Sequence, residues 1–99
     1  MLYNPAWSRN IHRMPSLIAW LETQDPDREY YYVNPDRCML TEYYRDMGLK
    51  KVRVTPVWLY HDDKMESLPS AFDMIARDNV TFGGALESAR KYNWWEHVF

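Results

Sequence analysis

Aromatic side chains are the feature that most limits how this chain can fold. Five Trp, eight Tyr and three Phe are spread over 99 residues, and residues 28–44, REYYYVNPDRCMLTEYY, hold five of the tyrosines and the only cysteine. A chain of this length forms one domain around one core. We expect that core to take some of the tyrosines together with Trp20, Trp58, Phe72 and Phe82. The remaining rings should face solvent or another chain.

Charge is balanced along the chain. The net charge is −2, and residues 1–50 and 51–99 each carry six basic and seven acidic side chains. A nucleic-acid-binding protein generally presents a basic face to phosphates, whereas a protein that mimics DNA needs a far more negative charge. We therefore expect neither direct nucleic-acid binding nor DNA mimicry.

Cysteine usage and apolar run lengths bear on the compartment. Cys38 has no second cysteine with which to form an intrachain disulfide, and the N-terminal residues lack an apolar run of signal-peptide length. No stretch reaches the ~18 apolar residues that span a bilayer. The sequence thus predicts a protein of the reducing cytosol that does not enter a membrane.

Helical periodicity recurs in four segments. Apolar residues spaced three and four apart predict helices over 14–24, from about 36 to 47, from about 69 to 77, and over 82–91. Asn34 or Asp36 is the expected cap of the second helix, and Gly48 is placed to end it in a left-handed conformation. Thr81 is the expected cap of the fourth helix.

Alternating apolar residues predict a small, mostly antiparallel sheet of about three short strands. These are expected over 29–33, over 49–60 where Pro56 interrupts the run, and over 65–68 after a turn at 61–64. The fold class is therefore α+β, with about four helices in a single domain. Residues 1–13 are expected to form an extended arm and 92–99 an aromatic tail, both flanking the core.

Three groups of residues could carry chemistry, and each has a structural interpretation that we favour. His61, Asp62 and Asp63 are adjacent on a turn and lack metal-ligand spacing, so we expect a solvated turn. Cys38 is expected to be a buried thiol rather than a nucleophile. The pair Gly83 and Gly84 could admit an anion at a helix start, but close helix packing is the better interpretation. We expect no catalytic residue, metal or cofactor, and no enzyme.

Four phrases resemble a known group of proteins: LIAWLETQDPDREYYY, CMLTEYYRDMG, LPSAFDMIARD and TFGGALESAR, which together extend over about residues 16–91. They are similar to a family of small uncharacterised proteins encoded by bacteriophages and prophages. The resemblance implies a phage accessory protein in the cytoplasm of a bacterial host. It also implies binding to a host protein, as anti-CRISPR and other anti-defence inhibitors do. The family has no assigned active site, so no residue role is carried over.

Binding through rings is also supported by physical chemistry, since Trp and Tyr dominate the energetics of protein interfaces. The expected partner-binding residues are Tyr3, Trp7, Tyr31, Trp94, Trp95 and Phe99. Two alternatives remain at this stage: the two ends could fold back and bury these rings, or the same patch could form a homodimer. A small-ligand, nucleotide-binding or enzymatic domain that uses Cys38 or the Gly83-Gly84 helix start is the alternative function.

Overall fold

Four helices and three strands make up the part of the chain that the computed structural model describes: residues 11–32, 34 and 36–98, with 93–98 as backbone only. In chain order they are α1 (Met14–Leu21), α2 (Met39–Asp46), β1 (Arg53–Val54), β2 (Trp58–His61), β3 (Lys64–Ser67), α3 (Ser70–Arg77) and α4 (Phe82–Val98). This is the α+β architecture that the sequence predicts. Within the described residues, no helix combines the length and the apolar character needed to cross a bilayer.

The sheet is antiparallel throughout, with strand order β1-β2-β3. The Thr55 N–H donates to the Trp58 carbonyl at 2.9 Å, which places Pro56 in the turn between β1 and β2 rather than within a strand. The next turn has two residues, Asp62 and Asp63, with φ of 50° and 65°. Two positive φ values in a two-residue loop are the type I′ geometry that suits the twist of a hairpin.

Helix α1 is shorter than the predicted 14–24. Pro15 lies in its first turn, where a missing N–H costs nothing, as expected. The Thr23 N–H bonds to the Trp20 carbonyl at 3.0 Å and the Gln24 N–H to the Leu21 carbonyl at 3.1 Å. These bonds between residues three apart tighten the chain into a turn, so the α-helix ends at Leu21.

Helix α2 begins at Met39, and Cys38 occupies the N-cap position instead of Asn34 or Asp36. The Asn34 side chain accepts a hydrogen bond from the Asp36 N–H at 2.9 Å, so it closes a local turn before the helix. At the other end Gly48 has a φ of 100°, which confirms the expected left-handed residue after the helix.

The predicted strand over 29–33 is wrong. Glu29 forms an isolated antiparallel bridge with Thr81, in which the Tyr30 N–H donates to the Val80 carbonyl at 3.1 Å. The Tyr31 N–H instead bonds to the Arg37 carbonyl at 3.4 Å. The tyrosines have high strand propensity, but the chain turns back on itself before a ladder can extend.

Helix α4 extends past the predicted 82–91, because its backbone continues to Val98 through most of the expected tail. The Thr81 hydroxyl accepts a hydrogen bond from the Gly84 N–H at 3.1 Å, so Thr81 caps the helix as predicted. Arg90 and Lys91, expected at its C-terminus, therefore lie in its interior. The Arg90 guanidinium pairs with Glu22 at 2.7 Å, beyond the end of α1.

The core is built from rings. Trp20, Tyr43, Tyr44, Phe72 and Phe82 are each no more than 1% exposed. Their contacts are mostly edge-on or tilted, with centroid separations of 5.4 Å for Trp20 and Tyr43 and 4.9 Å for Tyr43 and Tyr44. Of the four large rings predicted for the core, Trp20, Phe72 and Phe82 are confirmed there.

Trp58 is the exception, because it is 37% exposed. Leu59, its neighbour on β2, is fully buried, and successive side chains of a strand point to opposite faces. The placement of Trp58 in the core is therefore wrong.

The two glycines of α4 should differ in their tolerance of a side chain. A Cβ at Gly83 would lie 2.8 Å from the Pro26 carbonyl oxygen, which is fixed backbone, whereas a Cβ at Gly84 would lie 2.9 Å from the Asn79 side-chain oxygen. We expect Gly83→Ala to lower the free energy of unfolding by about 1–3 kcal/mol. Gly84→Ala, the matched control, should cost less in urea denaturation, and an equal or larger loss would contradict this assignment.

Candidate protein-docking surface

One side of the sheet faces away from the core and carries large apolar side chains. Trp58 and Tyr60 are each 37% exposed and Met65 is 54% exposed. Together with the exposed Arg53, these three residues are called the sheet face below. Trp, Tyr, Met and Arg are the side chains enriched at protein interfaces.

Strand register brings the residues of the sheet face into one row. Arg53 pairs with Tyr60, and Tyr60 in turn pairs with Met65 across the second ladder. Trp58 lies two residues before Tyr60, and its partner on β3 is Ser67. Side chains opposite one another on the same face of an antiparallel pair are close enough to touch. The row therefore forms one continuous patch.

Tyr31 lies on the wall of a surface cleft of about 400 Å³ and is 61% exposed. Asp36 lines the same cleft and forms an ion pair with Arg53 at 3.3 Å. Arg37 and Arg45, both exposed, are also in its wall. The Asp36–Arg53 pair thus links the cleft at Tyr31 to the sheet face. Tyr and Arg side chains, which line this cleft together, are enriched at interface hot spots.

A charged cluster closes the end of the hairpin. The His61 ring lies between two carboxylates that accept hydrogen bonds from it: its Nδ1 is 3.0 Å from Asp62 Oδ2, and its Nε2 bonds to Glu66. These hydrogen bonds, first that to Asp62 and then that to Glu66, raise the pKa of His61. The same bonds lower the pKa of Asp62 and of Glu66. The turn is solvated as predicted, since Asp62 and Asp63 are exposed, and the His61 ring joins its first residue to Glu66 of β3.

The residues predicted to bind a partner have different outcomes. Tyr31 is exposed, in agreement with the predicted outward tyrosine. Tyr3, Trp7 and Phe99, and the side chains of Trp94 and Trp95, lie outside the described residues. Sequence reasoning missed Tyr60 and Met65 and assigned Trp58 to the core, because Trp58, Leu59 and Tyr60 form an unbroken apolar run that does not show which side of the strand points inward.

Cys38 is a structural thiol. It is 2% exposed, and its carbonyl accepts a hydrogen bond from the Thr41 N–H at 3.0 Å in the first turn of α2. Burial raises the pKa of the Cys38 thiol. A thiol with a raised pKa carries little thiolate at neutral pH, and the thiolate is the reactive form.

The start of α4 has its amide groups already bonded within the chain. The Phe82 N–H donates to the Arg28 carbonyl at 2.9 Å, and the Gly83 N–H donates to the Pro26 carbonyl at 2.9 Å. The Gly84 N–H is taken by Thr81. An anion that bound at this helix start would have to displace these partners. Gly83 allows close packing of Pro26 against the helix, and Gly84 lies against Asn79.

Comparison with protein-family models, curated proteins and solved structures gave no match for this chain. Over the described residues, no group of three or more His, Cys, Asp and Glu side chains is arranged to hold a metal ion.

We expect Cys38 to resist a disulfide reagent such as DTNB in the native protein. Labelling near neutral pH should be about 100-fold slower than in denaturant, because the thiol is buried and protonated. An exposed cysteine made by Asp27→Cys in a Cys38→Ala background is the matched control and should react at once. Fast native labelling of Cys38 would contradict the structural role.

The His61 cluster makes stability depend on pH. A histidine with a raised pKa contributes its full stabilisation below the unfolded pKa of about 6.5 and loses it as the pH rises through the folded pKa. Asp62 and Glu66, with lowered pKa values, lose theirs only as the pH falls through their folded pKa values. The cluster should therefore stabilise most between about pH 5 and 6.5.

This expectation is measured by urea unfolding from mildly acidic to mildly alkaline pH. The free energy of unfolding should decrease above about pH 6.5, and His61→Gln, which cannot titrate, should flatten that decrease. A decrease of the same slope in His61→Gln would show that other groups cause it.

Proposed function

We propose that this protein binds a host bacterial protein through the sheet face and Tyr31, and thereby inhibits or modulates it. The single observation that carries the proposal is the row formed by Trp58, Tyr60 and Met65 on the outer side of the sheet. Its two rings stay exposed although the core already contains at least one aromatic residue from each of the four helices. Such side chains bury large area on binding at a small conformational cost.

The setting of the proposal comes from the resemblance to small phage and prophage proteins over about residues 16–91. On that resemblance we propose a phage-type accessory protein of the bacterial host cytoplasm, for example an anti-CRISPR or another anti-defence inhibitor. The balanced charge supports a protein rather than a nucleic acid as the partner.

The alternative, a ligand-binding or enzymatic domain, receives little support at the two positions that would carry it. Cys38 is buried with a raised pKa, and the amide groups of Phe82, Gly83 and Gly84 are bonded within the chain. We therefore propose binding rather than catalysis as the role of this protein.

The test is capture of a host protein by tagged protein from bacterial lysate, read by mass spectrometry and followed by direct binding to the purified target. Trp58→Ser with Tyr60→Ser should weaken the target Kd by about 30-fold or more, the loss expected of hot-spot residues. Val80→Ser is the matched control, since Val80 is 69% exposed outside the sheet face. It should bind as the unmodified protein does.

The outcomes separate the alternatives. A double variant that folds, by circular dichroism, and binds the target with an unchanged Kd would contradict the sheet face. Co-purification of a nucleotide or metal without any protein would favour the ligand-binding alternative.

The terminal rings are tested separately. Tyr3, Trp7, Trp94, Trp95 and Phe99 remain in the proposal on the sequence argument alone. Deletion of 93–99 should reduce target binding and leave a folded protein if Trp94, Trp95 and Phe99 contribute. Self-association through the same face would appear as a change of oligomeric state in the double variant.

A further inference from the structure

The outer strand of the hairpin, β3, is exposed along its whole length. It pairs with β2 on one side only, and β1 lies on the opposite side of β2. An edge strand presents backbone groups that can pair with another strand. The backbone of β3 therefore offers a site that neither the core nor the sheet face uses.

The ladder shows which of these backbone groups are available. The Leu68 N–H donates to the Val57 carbonyl at 2.9 Å. Because hydrogen-bonded and non-hydrogen-bonded pairs alternate along an antiparallel ladder, the next hydrogen-bonded pair is Glu66 with Leu59. Alternation then directs the N–H and C=O groups of Met65 and Ser67 away from β2. Within the described residues these outward groups have no hydrogen-bond partner.

We propose that this edge pairs with the same edge of a second copy of the chain, antiparallel and in the register that places the two Met65 residues opposite each other. The Met65 N–H and C=O of each copy would then bond to those of the other. The result is a six-stranded sheet that runs through both subunits. This pairing goes beyond host binding and does not depend on it.

Charge selects the register. With the two Met65 residues opposite each other, Lys64 of each copy lies across from Glu66 of the other, which forms two ion pairs. A register centred on Glu66 would place two carboxylates opposite each other. A register centred on Ser67 would place Pro69, which has no N–H, across from Met65. Of these three registers, only the one centred on Met65 places unlike charges opposite each other and keeps the backbone bonds between the two Met65 residues.

The proposed pairing extends the sheet face. Met65 points to the same side of the sheet as Tyr60, which is its ladder partner. Joining the two copies at Met65 would therefore bring both sheet faces into one apolar surface. Because each β3 has four residues, the contact is small and the dimer should be weak and dependent on concentration.

The experiment measures oligomeric state by sedimentation equilibrium from about 10 μM to about 1 mM, a range suited to weak pairs. The protein should shift from monomer to dimer within this range. Lys64→Glu and Glu66→Lys should each remain monomeric, because each creates two like-charge pairs. An equimolar mixture of these two variants should dimerise again, and Lys64→Glu combined with Glu66→Lys in one chain should restore the homodimer.

A second pair of variants separates edge pairing from general charge effects. Met65→Pro removes the outward N–H without removing a bond to β2 and should abolish the dimer, whereas Met65→Thr keeps that N–H and should dimerise. Circular dichroism and urea unfolding verify that each variant is folded, which matters for Glu66→Lys because Glu66 contacts His61.

Three results would overturn the proposal. They are a protein that stays monomeric up to about 1 mM, a dimer that persists in Lys64→Glu, and a mixture of the two charge variants that fails to associate. Loss of host-target binding in Met65→Pro while the unmodified protein remains monomeric would assign the edge to a host strand instead.

Discussion

The structure depends on one buried side chain, Tyr43 of α2. Its ring contacts Trp20, Tyr44 and Phe72, and so joins α1, α2 and α3. Its hydroxyl lies 2.6 Å from the Ile11 carbonyl and 2.7 Å from the Ser16 hydroxyl, and burial raises its pKa. A buried hydroxyl is tolerated only when it is bonded, so Tyr43 also fixes the chain before α1 against α2. The hydroxyl of Tyr30 acts similarly, 2.6 Å from the Ala76 carbonyl near the end of α3.

These hydrogen bonds join residues that are far apart in the sequence, so the parts of the fold that depend on them could not be predicted from local sequence. The presence of four helices follows from apolar spacing, and α3 agrees with it at both limits, whereas α1 ends earlier and α4 continues further than the spacing predicts. The Thr81 cap follows from its residue type. The strand over 29–33 could not be excluded locally, because whether a tyrosine-rich segment forms a ladder depends on the neighbour it meets. Here the Tyr30 hydroxyl donates to the Ala76 carbonyl of α3, and the Tyr32 hydroxyl donates to the Asp73 carboxylate at 2.6 Å. The segment is anchored by side chains rather than by a sheet.

The sheet face was only partly predictable. That some rings must face outward follows from the size of the core, and Tyr31 was correctly placed among them. Which rings those are depends on strand phase, and a shift of one residue exchanges the two faces of a strand. Leu59 and Trp58 both fit a core by composition. The turn at Pro56 starts β2 at a position from which Leu59 points inward and Trp58 outward. Local sequence alone does not show which of the two residues points inward.

The separation of core from surface has a consequence for how function could change without loss of the fold. Trp58, Tyr60 and Met65 contribute to an outer face, whereas the aromatic network that holds the helices together lies on the other side of Leu59. Substitutions on the outer face therefore leave the Tyr43 contacts intact, and exposed positions of this kind generally alter stability little. A different partner could be accommodated by replacing the outer residues of β2 and β3 while α1 to α4 keep their packing. The fold thus constrains the position and the shape of the outer face, and under the proposed function its outward side chains determine which partner it binds.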